Sequence, residues 1–257
     1  MSLPIEFLNL TEDQIAALPP LELAKLLAVV DAEQKVQSQT LLYRLFPETG
    51  PLSRHKYPKH LEFFAAGAKH QERAFIAANR VGKTVAACYE DTCHMTGWYP
   101  PWWEGRRFYE GGTSWASGED SKAVRESLQQ TFLGRPGESG TGLIPADKII
   151  SMTPRSGVPD AIDTVSVKHT SGRTWRLIFK SYDQGRESFQ ASKVDVMIFD
   201  EEPPQNIYTE GLTRTMSTVP GQPSGLVICT FTPLKGLSGV VLSYMPNGQR
   251  LEGSLTQ

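Results

Sequence analysis

The 257-residue sequence has no run of 18 apolar residues, so no continuous hydrophobic stretch is long enough to cross a bilayer as a helix. Its start, MSLPIEFLNLTEDQ, lacks the positive n-region and apolar h-region of a secretory signal. Cysteine is scarce. Cys88, Cys93 and Cys229 are odd in number, and their spacing fits neither a zinc site nor a disulfide framework. That usage points to a reducing, cytosolic compartment. Excess charge is also lacking. Lys plus Arg total 26 against 28 for Asp plus Glu, a net charge of -2, which excludes a globally basic nucleic-acid coat but not a local basic groove. There is no internal repeat.

What remains is an ordinary globular composition, 39% hydrophobic and 21% charged, which excludes a disordered or fibrous chain. The length fits one or two domains with one sizeable core. Residues 1–46 read as an N-terminal helical brace. Thr11 caps a short helix with Asp13 in its first turn, Pro19-Pro20 interrupts, and a second helix runs from about Leu21 to Leu45. Leu23, Leu26, Leu27, Val30, Leu41, Leu42 and Leu45 give that helix an apolar stripe that must pack on something.

Glu48-Thr49-Gly50-Pro51 marks a boundary, and residues 47–257 have the texture of an α/β domain. Strands are expected at Ala74–Ala78, Arg107–Glu110 with its continuation to Trp115, Val194–Phe199 and Leu226–Thr232. Thr164–His169 and Thr174–Lys180 read as an antiparallel pair joined by the Ser-Gly turn within Thr170–Arg173. A last helix is expected at Leu237–Tyr244. The glycine-rich segment Gly134–Gly142 reads as a flexible loop and a candidate lid.

Three segments carry chemistry. The first is Ala77-Ala78-Asn79-Arg80-Val81-Gly82-Lys83-Thr84, placed between a short strand and a helix. Backbone N–H groups at a helix start make an anion cradle, Lys83 supplies charge for β- and γ-phosphates, and Thr84 offers a hydroxyl to Mg²⁺. The usual first glycine of such a loop is Ala77 here. The second is Val194 to Glu202, an apolar run ending in Asp200-Glu201-Glu202. A near-continuous apolar run reads as a central parallel strand, and open α/β sheets bind ligands at the C-terminal ends of such strands. Asp200 is then a carboxylate for Mg²⁺ and Glu201 the base that activates water. The third is Val227 to Pro233, where Thr230 and Thr232 end a buried strand, and one of them faces the γ-phosphate.

In this order the three segments resemble the ATPase half of the large terminase subunit, the genome-packaging motor of tailed bacteriophages, most closely the headful-packaging podovirus type. The resemblance rests on Phe75–Thr84, Arg107–Glu110, Ser181–Arg186 (SYDQGR), Phe199–Pro204 (FDEEPP), Ile207–Arg214 (IYTEGLTR) and Thr230–Gly236 (TFTPLKG). It implies an additional-strand P-loop NTPase fold, RecA- and helicase-like, with a mostly parallel sheet flanked by helices. It implies ATP and Mg²⁺ as ligands and an ATP hydrolase that drives double-stranded viral DNA into a procapsid. It also implies a ring of subunits on the portal protein, a small terminase subunit as partner, and no membrane. The expected location is the host cytoplasm, transiently at the procapsid portal and not in the virion. Carried over by position, Lys83 and Thr84 are the Walker A lysine and hydroxyl, Asp200 and Glu201 the Walker B pair, and Thr230 and Thr232 the coupling motif. Asn79, Arg80, Val81 and Gly82 belong to the phosphate loop. Tyr57 and His60 stand at the adenine-recognition motif, where the family usually has an aromatic residue and then glutamine. Arg186 is a candidate finger for a neighbouring subunit's ATP, and Arg214 a second. The nuclease domain of the family is expected to be absent from this chain.

Other residues have plainer readings. The basic run Arg54 to His60 frames the base, is solvated, or touches DNA phosphates. Trp98, Trp102 and Trp103 read as packing, as do Cys88, Cys93 and His94. Rival functions are a helicase-like motor, a small-molecule P-loop kinase and a scaffold that binds nucleotide without turnover.

Overall fold

A computed structural model describes residues 11, 14–15, 17–190, 192–233, 236, 238–245 and 255–256, apart from the side chains of 32–39 and 255–256. Its centre is one sheet of eight strands: β1 Glu72–Ile76, β2 Thr113–Gly118, β3 Ile149–Pro154, β4 Ile162–Lys168, β5 Thr174–Ser181, β6 Val196–Asp200, β7 Leu226–Phe231 and β8 Leu255–Thr256. The spatial order is β3-β4-β5-β2-β6-β7-β1-β8. From β5 to β8 all neighbours are parallel, while β3, β4 and β5 form an antiparallel edge. Strand β7 lies between β1 and β6, which is the additional strand of this class of P-loop NTPase fold.

The inner strands are buried along their whole length, so their residues sort onto two faces by alternation. Val196, Ile198 and Ile228 join a core with Phe75, Ala86, Ala87 and Phe64. Met197, Phe199 and Val227 join the opposite core with Ile207, Tyr208 and Val241. Each such fully buried aliphatic or phenyl side chain contributes about 1.5–3 kcal/mol. The helices are α1 Pro20–Gln39, α2 Leu41–Arg44, α3 Pro58–Ala66, α4 Lys83–Thr96, α5 Ser121–Val124, α6 Gln130–Leu133, α7 Gln205–Thr215 and α8 Gly239–Tyr244, of which all but α1 place residues in the two cores. A π-helical stretch, Arg125–Gln129, joins α5 to α6. Gly211 lets α7 lie close on β6, because a Cβ there would stand 2.5 Å from the Phe199 ring.

Two sequence expectations change. The helix expected from Leu21 to Leu45 breaks at Thr40, which is extended at φ -85° and ψ 128°. The Leu41 amide donates to the Gly142 carbonyl instead of continuing α1, and Leu42 and Phe46 then enter the core. Of the expected stripe, Leu26 and Leu42 are buried, Leu23, Val30, Leu41 and Leu45 are partly buried, and Leu27 is exposed. Arg107–Glu110 is not a strand. The Phe108 amide donates to the Tyr99 hydroxyl at 2.7 Å, away from any ladder, and pairing starts at Thr113. In the segment Gly134–Gly142 the Gly140 amide donates to the Leu133 carbonyl, and residues 135–139 between them are exposed. Strand β3 carries no alternation because nearly every side chain on it is exposed, so periodicity misses it.

The antiparallel pair β4–β5 forms with the expected turn, the Gly172 amide donating to the His169 carbonyl. Gln14 and Ile15 are helical next to Thr11, and the Gln14 amide points to the Thr11 hydroxyl. Asp13 and Leu237 lie outside the described residues, and the last helix is seen over Gly239–Tyr244.

Candidate functional site

The loop from Ala77 to Gly82 leaves the C-terminal end of β1 and enters α4 at Lys83. Gly82 is the residue before the helix and has φ +87°, a left-handed conformation that glycine adopts without the penalty of a Cβ. Arg80 takes φ +64° without that excuse, at a cost on the order of 1–2 kcal/mol. The 14-residue helix directs its free N–H groups and the positive end of its dipole at the cleft above the sheet.

That cleft, about 520 Å³, is lined by Asn79, Arg80, Gly82, Lys83, Thr84 and Glu201 together with Glu126, Ser127, Gln130 and Thr131. Thr84 and Asp200, 116 positions apart in sequence, therefore meet. Lys83 donates to the carbonyls of Ala77 at 3.0 Å and Ala78 at 2.8 Å, and to the Thr232 hydroxyl at 3.0 Å. Burial lowers its ammonium from the ordinary lysine value, and Glu201 and Asp200 oppose that shift. The Thr84 hydroxyl donates to Asp200 Oδ1 at 2.7 Å, and the Thr230 hydroxyl donates to the same oxygen at 2.8 Å. Burial raises the Asp200 carboxyl, while Thr84, Thr230, Lys83 and Ser127 hold it back. Thr232 faces the loop, donating toward the Ala77 carbonyl and Asn79 Oδ1 at 2.8 Å each. The two threonines thus divide: Thr230 serves the carboxylate and Thr232 the lysine.

Glu201 follows β6 with φ +62°. Its amide still donates to the Thr230 carbonyl at 2.8 Å, so the ladder continues while the chain turns its side chain into the cleft. Burial first, and the neighbouring Asp200 charge second, raise its carboxyl above the ordinary glutamate value. A second hollow of about 320 Å³ adjoins on the far side of Asp200 and Glu201, lined also by Gly118, Glu119 and Ala123.

Tyr57 and His60 stand beside the phosphate loop in a mainly apolar cleft with Leu45, Phe46, Leu52, Val81 and Val85. Burial lowers the His60 ring from its ordinary value, opposed by hydrogen bonds to the backbone of Val81 and Gly82. Arg186 is not in the cleft of its own chain. It pairs with Glu210 at 2.9 Å, and Arg214 holds the other oxygen of Glu210 at 2.7 Å. Burial opposes ionisation of Glu210, yet the two arginines prevail and hold its carboxyl below the usual range. The IYTEGLTR and SYDQGR segments therefore meet at Glu210, with Arg186 still half exposed.

Sequence reading missed the wall opposite the phosphate loop. Glu126, Ser127, Gln130 and Thr131 carry no motif, and the only local signal is the Asp120 cap on the Ala123 amide. The π turn bulges at this wall, where such turns are often found at functional sites. Reading also missed a buried ion cluster behind the site. Arg73 on β1 holds Glu90 on α4 at 2.7 Å, with His94 3.4 Å from the same carboxyl.

Among the described residues no group of three or more His, Cys, Asp or Glu side chains is placed to hold a metal. Magnesium does not need one. It takes one or two protein oxygens and fills the rest with water and substrate phosphates. Thr84 and Asp200 supply hard oxygen donors of that kind, so the site fits Mg²⁺.

Residues 74–251 match the family described as terminase large subunit, T4likevirus-type, N-terminal. The chain belongs to the terminase large subunit family. The large terminase subunit of Salmonella phage P22 is 36% identical over 246 residues, which cover 88% of this chain and 46% of the relative. This terminase chain thus spans about half the length of that relative. Among solved structures, the large terminase of the thermophilic bacteriophage D6E aligns with a TM-score of 0.48 at 11% identity, over 77% of this chain and 44% of that one. The large terminase ATPase domain of Thermus phage P74-26 aligns with a TM-score of 0.44 at 14% identity, over 78% and 83%.

Proposed function

We propose that this chain is the ATPase part of a terminase large subunit and hydrolyses ATP with Mg²⁺ to drive double-stranded DNA into a procapsid. The observation that carries the reading is the 2.7 Å contact between Thr84 and Asp200, which brings the loop end and the acidic strand end to one point beside Lys83. In this reading the loop amides and the α4 N-terminus bind the phosphates, and Lys83 exchanges its carbonyl partners for the β- and γ-oxygens. Thr84 and Asp200 hold Mg²⁺, which when bound neutralises charge on the phosphates. Glu201 takes a proton from water as the water oxygen attacks the γ-phosphorus and the bond to ADP breaks. Tyr57 and His60 flank the base. Arg186 reaches the ATP of a neighbouring subunit in a ring, leaving Glu210 to Arg214. The portal protein and the small terminase subunit are the proposed partners, and the host cytoplasm, then the procapsid portal, the proposed place.

The test is nucleotide binding by the Lys83→Ala variant. It is expected to lose ATP binding while keeping its fold. Undiminished affinity would overturn the placement of the triphosphate on this loop.

A further inference from the structure

We propose that Tyr182 is the residue that positions Glu201, a role that rests on reading Glu201 as the base. Tyr182 is buried at the end of β5, and its ring lies against Phe199. Its single hydroxyl stands 3.0 Å from the Asp200 carbonyl and 3.0 Å from the Glu201 carbonyl, with the Ser117 carbonyl at 3.5 Å. In an extended strand successive carbonyls point to opposite sides, so one donor cannot serve two in a row. They converge here because Glu201 is left-handed at φ +62°. The hydroxyl therefore sits at the place where the strand reverses, and it holds the reversed form.

Strained non-glycine backbone persists only where its surroundings over-determine it. The Glu201 backbone is held on both sides, by the Thr230 carbonyl at its amide and the Tyr182 hydroxyl at its carbonyl, while the Thr232 backbone bonds its carboxyl. Tyr182 is itself fixed. Ser181 and Gln184 form a reciprocal capping box around it, and the Asp183 amide donates to the Glu119 carbonyl. The same short segment continues into Arg186, which grips Glu210. SYDQGR thus links the arginine to the backbone of the base.

Three variants are compared for nucleotide affinity, melting temperature and single-turnover phosphate release: Tyr182→Phe, Glu201→Gln and the double variant. Tyr182→Phe keeps the ring and removes only the hydroxyl. It is expected to keep nucleotide affinity within about twofold and to lower the rate per bound nucleotide about tenfold to a hundredfold, as small misplacements of a reacting group do. In the Glu201→Gln background the same change is expected to cost nothing further, since Tyr182 acts only through Glu201. An unchanged rate overturns the proposal. So does an equal loss in both backgrounds, or a fall in affinity and melting temperature that accounts for the rate. A wild-type rate in Glu201→Gln alone overturns the base instead, and is told apart by that arm.

Discussion

Asp200 Oδ1 accepts two hydroxyls, from Thr84 at 2.7 Å and Thr230 at 2.8 Å, and so ties the start of α4 to the ends of β6 and β7. Removing the Thr84 hydroxyl leaves the carboxylate with Thr230 alone and takes one oxygen from the proposed Mg²⁺ site. Thr84→Val is expected to raise the Mg²⁺ concentration needed for half-maximal hydrolysis and to lower the rate by about 10²-fold. A Mg²⁺ titration of phosphate release checks this, and chelation with EDTA is expected to stop wild-type turnover.

Arg73 and Glu90 are both fully buried, 2.7 Å apart. Removing one partner of such a pair strands a charge, at about 3–5 kcal/mol. Arg73→Met is therefore expected to lower the denaturation midpoint sharply, although Arg73 is nowhere in the cleft. Urea unfolding measures it. The exposed half of the Glu210 pairing behaves differently: Arg186→Ala is expected to cost at most about 1 kcal/mol.

Asp91 is fully buried, accepts the Ser114 hydroxyl at 2.6 Å, and leaves its other oxygen without a partner. Burial pushes its carboxyl up to about 8, with the Ser114 bond opposing. The folded state then holds a proton that the unfolded chain releases near the ordinary aspartate value, so folding is favoured at low pH. That contribution declines as pH rises between those two values and is flat above the folded one. Asp91→Asn is expected to remove this slope. Melting temperatures of both proteins from pH 5 to 8.5 show whether the wild type loses ground that the variant keeps.

Arg186 is half exposed and outside its own cleft. If it serves a neighbour, Arg186→Ala leaves nucleotide binding intact and removes the rise in specific hydrolysis that assembly brings. Rates measured across a range of protein concentrations check this, with the wild type accelerating and the variant staying level.

The parallel half of the fold was legible because fully buried strands write themselves as apolar runs, as Val196–Asp200 does. Lys83, Thr84, Asp200 and Glu201 were legible because each sits at a strand or helix end whose residue type has a chemical reason. The wall of Glu126, Ser127, Gln130 and Thr131 was not, since a helix face toward a cleft looks like any solvated face. Nor was the Arg73–Glu90 pair, whose partners are 17 positions apart on different elements. The break at Thr40 was hidden because leucines continue on both sides of it. The left-handed turn at Glu201 also leaves no mark, because glutamate has no preference for it.

Glu201 carries the chemistry in this reading, so its removal is the most direct test. Phosphate release and ATP binding are measured together on wild type and Glu201→Ala. The expected result is near-normal binding with turnover reduced by at least about 10²-fold. Equal turnover in the two proteins would contradict Glu201 as the base and, with it, hydrolysis at this cleft by the route described.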